Sequence, residues 1–254
     1  MNRRAFLHGA AASALALSLP ATARAAPGPR AKSVVLVHGA YADGSSWAEV
    51  IPRLQAAGLK VIAVQNPLST LKEDCDYARR ALGTMEGPVV LAAHSYGGEI
   101  ITEIGNDSKV SALVYIAARA PDANEDYTAL AKQYPAPPAS AGLVKADGFA
   151  QLSEQAFLDD FANGVDPARA RMLYAVQGRI SDQLFTAKVT QAAWRTKPSF
   201  YQVSKLDRTI DPNLERFMAR RMKATTIELD AGHLSLVSKP KEVSDLILRA
   251  ASFV

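Results

Sequence analysis

The residues best suited to chemistry surround a serine set among small neighbours, Ala93-His94-Ser95-Tyr96-Gly97. An apolar run typical of a buried strand precedes them, and a helical pattern follows. A strand that passes into a helix through one residue strains that residue's backbone, so its flanks must be small. The pattern is G-x-S-x-G with Ala93 in the first position, and it predicts a serine nucleophile raised above a sheet edge. The alternative is an ordinary N-cap serine that opens a helix after a loop.

A serine hydroxyl needs an adjacent base, and that base needs a third group to orient it. His233 follows a late predicted strand in a glycine-containing loop, and Asp207 follows the strand before it. Because ligands bind at the carboxyl ends of parallel strands, Ser95, Asp207 and His233 are predicted to form a catalytic triad there. Asp211 is the rival for the acid, but its position directly before a proline fits a helix N-cap better.

A developing oxyanion needs hydrogen-bond donors, and two backbone N–H groups are the candidates. One belongs to Tyr96, directly after the serine, and the other to Ala40, after the sharp turn at His38 and Gly39. Aromatic residues in the middle of the chain indicate an apolar pocket. The predicted substrate pocket includes Tyr41, Tyr127 and Leu234.

The elements that position these residues follow from the hydrophobic pattern. Strand and helix patterns alternate four times up to residue 116, which predicts an α/β fold with a doubly wound, mostly parallel sheet. The alternation stops over residues 118–194, where short, proline-broken helical pieces occur without a strong strand, and then resumes. We therefore predict a core of residues 26–117 and 195–254, with residues 118–194 as a helical cap over the strand ends. An independent domain is the alternative, which the short pieces disfavour.

The amino terminus has the composition of an export signal. Arg3 and Arg4 precede a modest apolar run and a small-x-small site, an order that resembles a bacterial twin-arginine signal. We expect residues 1–25 to be removed, with cleavage after Ala25 or Ala26, and the mature protein to be periplasmic or secreted. A membrane anchor is the alternative, but the apolar run is short for a span.

Composition limits the class of protein and its partners. A chain of 254 residues with 48% hydrophobic residues suits one large α/β domain. Three arginines and no acidic residue lie in residues 1–25, so the formal net charge of +4 belongs mostly to the signal. We therefore expect no nucleic-acid partner, no stable membrane insertion after cleavage, and no metal or organic cofactor. The sequence carries no signal of oligomeric state.

From Ser33 onward the chain resembles the α/β-hydrolase superfamily. Residues 38–47 and 93–98 look like the branch that holds small bacterial esterases, plant methylesterases such as the salicylate-binding esterase, and hydroxynitrile lyases. The lyases of that branch carry a threonine in the oxyanion turn and a lysine after the catalytic histidine, where this chain has Gly39 and Leu234. The resemblance implies a serine carboxylesterase that hydrolyses small esters through an acyl-enzyme. Alternatives are cyanohydrin or C–C bond cleavage on the same triad, and a binding protein with little turnover.

Overall fold

The computed structural model describes residues 30–253, so the predicted signal lies outside the described residues. In the first half of the chain, strands and helices alternate as the sequence predicts. The elements are β1 (Ser33–Val37), α1 (Ile51–Ala56), β2 (Lys60–Ala63), α2 (Leu71–Gly83), β3 (Val89–His94), α3 (Gly97–Ile104) and β4 (Val110–Ile116). Among residues 30–253, no helix is both long and apolar enough to cross a membrane.

The second half begins with short elements and returns to the alternating pattern at residue 199. Its elements are α4 (Tyr127–Ala131), β5 (Leu143–Ala146), β6 (Phe149–Leu152), α5 (Glu154–Ala156), α6 (Pro167–Ala175), β7 (Ile180–Ser181), β8 (Ser199–Ser204), α7 (Pro212–Arg221), β9 (Thr225–Leu229), α8 (Ser235–Ser238) and α9 (Pro240–Phe253). A π-helical turn, Phe157–Phe161, follows α5.

Six strands form one parallel sheet in the order β2-β1-β3-β4-β8-β9. Every residue of β1, β3 and β8 is buried, as expected for strands covered on both faces by helices. The mostly apolar runs of β1 and β3 predicted these two strands well, and the predicted parallel α/β sheet is confirmed. Because all six strands run the same way, the loops after β1, β3, β4, β8 and β9 leave from one edge of the sheet.

The segment between β4 and β8 differs from its prediction, because it is not only helical. β5 and β6 form an antiparallel hairpin, and β7 pairs with the free edge of β6. Asp147 and Gly148 form the turn with φ of 54° and 76°. An Asp-Gly pair with two positive φ angles is typical of a two-residue hairpin turn. The expectation of a segment without a strong strand was therefore wrong here, since strands this short show little alternation.

Candidate active site

The turn between β3 and α3 holds Ser95 in a left-handed backbone conformation, with φ of 53°. The small residues around it allow other loops to pack directly against the turn. A Cβ atom added at Gly97 would lie 2.6 Å from the His38 carbonyl oxygen, and one at Gly98 would overlap the Arg119 carbonyl oxygen. The ends of β1 and β4 therefore meet the turn where the sequence has glycine, as the strand-turn-helix pattern predicted.

The structure brings Ser95, His233 and Asp207 together in one hydrogen-bonded chain. Ser95 Oγ lies 2.9 Å from His233 Nε2, and His233 Nδ1 lies 2.6 Å from Asp207 Oδ2. The side chains of His233 and Asp207 are fully buried. Since a carboxylate oxygen can only accept, Nδ1 carries the proton and Nε2 is left to accept the proton of the serine hydroxyl.

Backbone amides fix the orientation of the Asp207 carboxylate. Its Oδ1 accepts from the N–H groups of Thr209 and Ile210, at 2.6 and 2.9 Å, which leaves Oδ2 for the histidine. Asp211, the rival acid, caps α7 instead, because its side chain accepts from the N–H of Asn213.

The N–H groups of Ala40 and Tyr96 have no hydrogen-bond partner within residues 30–253. Gly39 explains how the turn after β1 reaches the serine, because a Cβ atom there would lie 2.6 Å from Ser95 Cβ. The two predicted oxyanion donors thus flank the nucleophile from two different turns, and both are free to bind a negatively charged oxygen.

His38 braces the turn that carries Ala40. Its Nδ1–H donates to the Gly39 carbonyl at 2.8 Å, and its Nε2 accepts from the N–H of Asn66 at 2.9 Å. Burial lowers the pKa of His38, so the ring stays neutral and keeps both hydrogen bonds. This arrangement fits a structural role for His38.

His94 supports the loop that carries His233. Its Nε2–H donates to the backbone carbonyl of His233 at 3.0 Å, and the two ring centroids lie 4.6 Å apart. Burial first, and then the neighbouring His233, hold the pKa of His94 well below its usual range. A neutral imidazole at this position can orient the base without competing with it for a proton.

A cavity of about 470 Å³ opens onto Ser95 and extends beneath the segment between β4 and β8. Small apolar and aromatic residues form most of its wall. Tyr41 and Tyr127 line it, as the sequence predicted. Burial raises the pKa of Tyr41 to about 12, so its hydroxyl stays protonated at neutral pH. The volume suits a small organic ligand.

Leu234, the third predicted pocket residue, does not line this cavity in the described part of the chain. It is buried, and it borders a much smaller crevice together with Phe157 and Phe161. α8 begins directly after it, at Ser235. The structure therefore does not bring Leu234 to the wall of the larger cavity, and its part in substrate binding stays a prediction.

Sequence reasoning missed Arg119 and its partner Glu99. Arg119 lines the cavity, and its Nη1 donates to Glu99 Oε1 at 3.1 Å. Burial lowers the pKa of Arg119, but the Glu99 charge offsets this and raises it overall. The sequence did contain a signal for Arg119, since it lies three residues after the end of β4, and loops that follow parallel strands form the ligand-binding edge of the sheet.

A second residue missed from the sequence is Glu215, a fully buried carboxyl group on α7 close to Asp207. Its Oε2 accepts from the N–H of Ser204 at 3.0 Å, and its Oε1 has no partner within the described residues. Burial first, and then the negative charge of Asp207, raise the pKa of Glu215 well above its usual range. No local pattern marks it, because it occupies an ordinary buried position of an amphipathic helix.

This raised pKa predicts how Glu215→Gln changes the pH dependence of stability. The folded state keeps the Glu215 proton above pH 4.5, where the unfolded chain loses it, so the free energy of unfolding falls as the pH rises. Glutamine does not titrate. As the pH rises, the free energy of unfolding of the variant should therefore increase relative to that of the wild type, by up to about 1.4 kcal/mol per pH unit. Urea unfolding of both proteins at pH 5, 6.5 and 8 measures this, and a difference that stays constant with pH would contradict it.

Among residues 30–253, no three His, Cys, Asp or Glu side chains are placed to hold a metal ion. A serine hydroxyl next to a neutral imidazole, an oriented carboxylate and two free N–H groups can carry out nucleophilic attack on a carbonyl carbon.

Comparison with known proteins places the chain in a family. The model of the Alpha/beta hydrolase family matches residues 34–246, so the chain belongs to that family. Methylesterase 8 of Arabidopsis thaliana is 24% identical and covers 85% of this chain and 88% of its own. The alpha-hydroxynitrile lyase of the same plant is 22% identical and covers 86% and 96%. The crystal structure of polyneuridine aldehyde esterase, 19% identical, superposes with a TM-score of 0.75 over 86% of this chain and 98% of that one.

Proposed function

We propose that this protein is an exported serine carboxylesterase that hydrolyses small carboxylic esters through an acyl-enzyme on Ser95. The proposal depends mainly on one observation, the hydrogen-bonded chain from Asp207 through His233 to a serine that opens onto the cavity. The family and the esterase names among the relatives support it. Export is supported by the paired arginines and the cleavage site in the amino-terminal sequence.

In the acylation step, Ser95 Oγ attacks the ester carbonyl carbon while His233 Nε2 takes the serine proton. The negative charge that forms on the carbonyl oxygen accepts hydrogen bonds from the N–H groups of Ala40 and Tyr96. Asp207 stabilises the imidazolium through Nδ1–H. His233 then gives its proton to the departing alkoxide, which leaves as an alcohol, and the acyl group stays on Ser95.

In the deacylation step, a water molecule takes the place of the alcohol. His233 Nε2 removes a proton from it as its oxygen attacks the acyl carbon, and the same two N–H groups stabilise the second oxyanion. The proton then returns to Ser95 Oγ as the carboxylic acid leaves. No group outside the triad has to change its protonation state, which fits the neutral, buried state of His38 and His94.

Two positions favour an esterase over a cyanohydrin lyase. A Cβ atom at position 39 would lie 2.6 Å from Ser95 Cβ, so the turn has no room for a hydroxyl-bearing side chain. At position 234 the side chain is an apolar, buried leucine, which supplies no ammonium group beside the histidine. Without those two groups, nothing at these positions would hold a cyanohydrin hydroxyl or stabilise a departing cyanide.

The test of this function is a direct comparison of substrates. We expect the purified mature protein to hydrolyse 4-nitrophenyl acetate and small alkyl esters, and to release no measurable cyanide from mandelonitrile at the same pH and enzyme concentration. Nitrophenolate absorbance and a cyanide assay measure the two reactions. Cyanide release at a rate comparable to the best ester would instead assign a lyase, and failure of both reactions would favour a binding protein.

A further inference from the structure

The loop after β4 brings an arginine to the wall of the cavity next to the nucleophile. The backbone N–H of Arg119 donates to the Ser95 carbonyl at 3.0 Å, so the two side chains start from adjacent points of the cavity. Both residues line it. The Arg119 side chain is 23% exposed, whereas that of Glu99 is only 2% exposed. The guanidinium therefore stands between a buried carboxyl group and the open cavity.

Two contacts hold the Arg119 guanidinium in place without using all its donors. Nη1 donates to Glu99 Oε1, and Cζ lies 4.7 Å from the ring centroid of Tyr127. A guanidinium has five N–H groups in a planar fork. Nε and Nη2 have no hydrogen-bond partner in residues 30–253, and neither is among the fully enclosed polar atoms. A ligand in the cavity can therefore reach unpaired, pre-oriented donors.

The cavity wall around those donors carries few other charged side chains. Most of the lining is apolar or aromatic, and the other charged side chains are Lys132, which is exposed, and Asp211. The Oδ1 atom of Asp211 already accepts from the N–H of Asn213. A planar fork of donors matches a carboxylate or a phosphate, because two parallel N–H···O bonds can form. The carboxylate carries the smaller charge and therefore suits a mostly apolar cavity better.

We infer that Arg119 binds a carboxylate carried by the substrate itself, so that the substrate class is half-esters of short dicarboxylic acids. The ester carbonyl lies at Ser95 and the free carboxylate lies at the guanidinium fork. This inference rests on the proposed esterase function and deepens it. Glu99 and Tyr127 are positioning residues that hold the fork in the orientation a carboxylate needs.

The test uses two substrates that differ only in the distal group. Monomethyl glutarate carries the carboxylate, and its carboxamide analogue, methyl 5-amino-5-oxopentanoate, has nearly the same shape without the charge. Charge-assisted hydrogen bonds favour the carboxylate, and we expect kcat/KM of the wild type to be higher for monomethyl glutarate by about 10- to 100-fold. Methanol release at fixed ionic strength measures both reactions.

Substitutions test whether the preference for the carboxylate substrate depends on Arg119. The double variant Arg119→Gln with Glu99→Gln avoids a buried, unpaired carboxyl group, and we expect its preference for the carboxylate to fall to about threefold or less. Arg179→Gln is the control for loss of an arginine elsewhere, because Arg179 is exposed and lies outside the cavity wall. It lowers the net charge by one, whereas the double variant leaves the net charge unchanged. It should keep the wild-type preference. An equal loss in Arg179→Gln or in Lys132→Gln would overturn the assignment to Arg119.

A binding measurement separates failure of this inference from failure of the proposed function. Calorimetry on wild-type protein should show that glutarate binds more tightly than glutaramide, its uncharged diamide, whether or not the protein turns over esters. Equal hydrolysis of the two esters by the wild type, or equal binding of the two ligands, overturns the carboxylate site and leaves the esterase in place. Absence of hydrolysis of 4-nitrophenyl acetate and of both methyl esters overturns the esterase itself, and the glutarate titration then still decides the carboxylate site.

Discussion

Replacement of Ser95 by alanine is expected to lower kcat/KM for a small ester by about 10⁴- to 10⁶-fold. The variant loses the serine oxygen that lies 2.9 Å from His233 Nε2, so the ester carbonyl is not attacked and no acyl-enzyme forms. Alanine meets the same backbone strain as serine at φ 53°, and we expect the thermal midpoint to shift by only a few degrees. Ester hydrolysis and a thermal melt on the same preparation measure both effects.

The thermal unfolding measurement is the control for this experiment, because it distinguishes loss of catalytic activity from loss of the folded structure. Retention of activity within tenfold of the wild type, in a folded variant, would show that another group performs the attack. Loss of both activity and the folding transition would instead give Ser95 a structural role at the turn. The variant Ser45→Ala offers a matched comparison, since Ser45 is exposed and lies outside the cavity wall.

Replacement of Asp207 by asparagine is expected to lower kcat by about 10²- to 10⁴-fold. The N–H groups of Thr209 and Ile210 both donate to Oδ1, so the amide oxygen must take that place and the NH₂ group must face His233. His233 Nδ1 then accepts a hydrogen bond, which moves the ring proton to Nε2. In that tautomer Nε2 can no longer accept the proton of Ser95.

Asp211→Asn is the matched control for the acid. Asparagine caps a helix about as well as aspartate, and the side chain of Asp211 accepts from the N–H of Asn213. We expect its rate to stay within about tenfold of the wild type and its stability to change by less than about 1 kcal/mol. A large loss in Asp211→Asn together with a small one in Asp207→Asn would move the role of the acid to Asp211.

The parts of the site that sequence predicted are those that a parallel sheet fixes by topology. Ser95, Asp207 and His233 each follow a strand, and strands of a parallel sheet end at the same edge. The order and direction of the strands were therefore enough to predict that these three residues meet. The same reasoning placed Ala40 beside Tyr96, because β1 and β3 are neighbours in the sheet.

The parts that sequence did not predict depend on contacts between distant side chains. Leu234 was expected in the pocket, but it borders a smaller crevice together with Phe157 and Phe161. Arg119 pairs with Glu99, and Glu215 is buried beside Asp207. Each pair joins residues from different elements, and no periodic pattern in the local sequence relates them. The hairpin at Asp147 and Gly148 had a local signal, yet its strands are only four residues long.

The most direct test of the central claim is the mass of the protein during turnover. When wild-type protein is mixed with excess 4-nitrophenyl acetate and quenched in acid within the first turnovers, the account predicts a burst of one nitrophenolate per protein molecule. It also predicts a mass increase of one acetyl group that peptide mapping locates on Ser95. Turnover of the ester with no burst, no mass increase, or an acetyl group on a residue other than Ser95 would contradict the account.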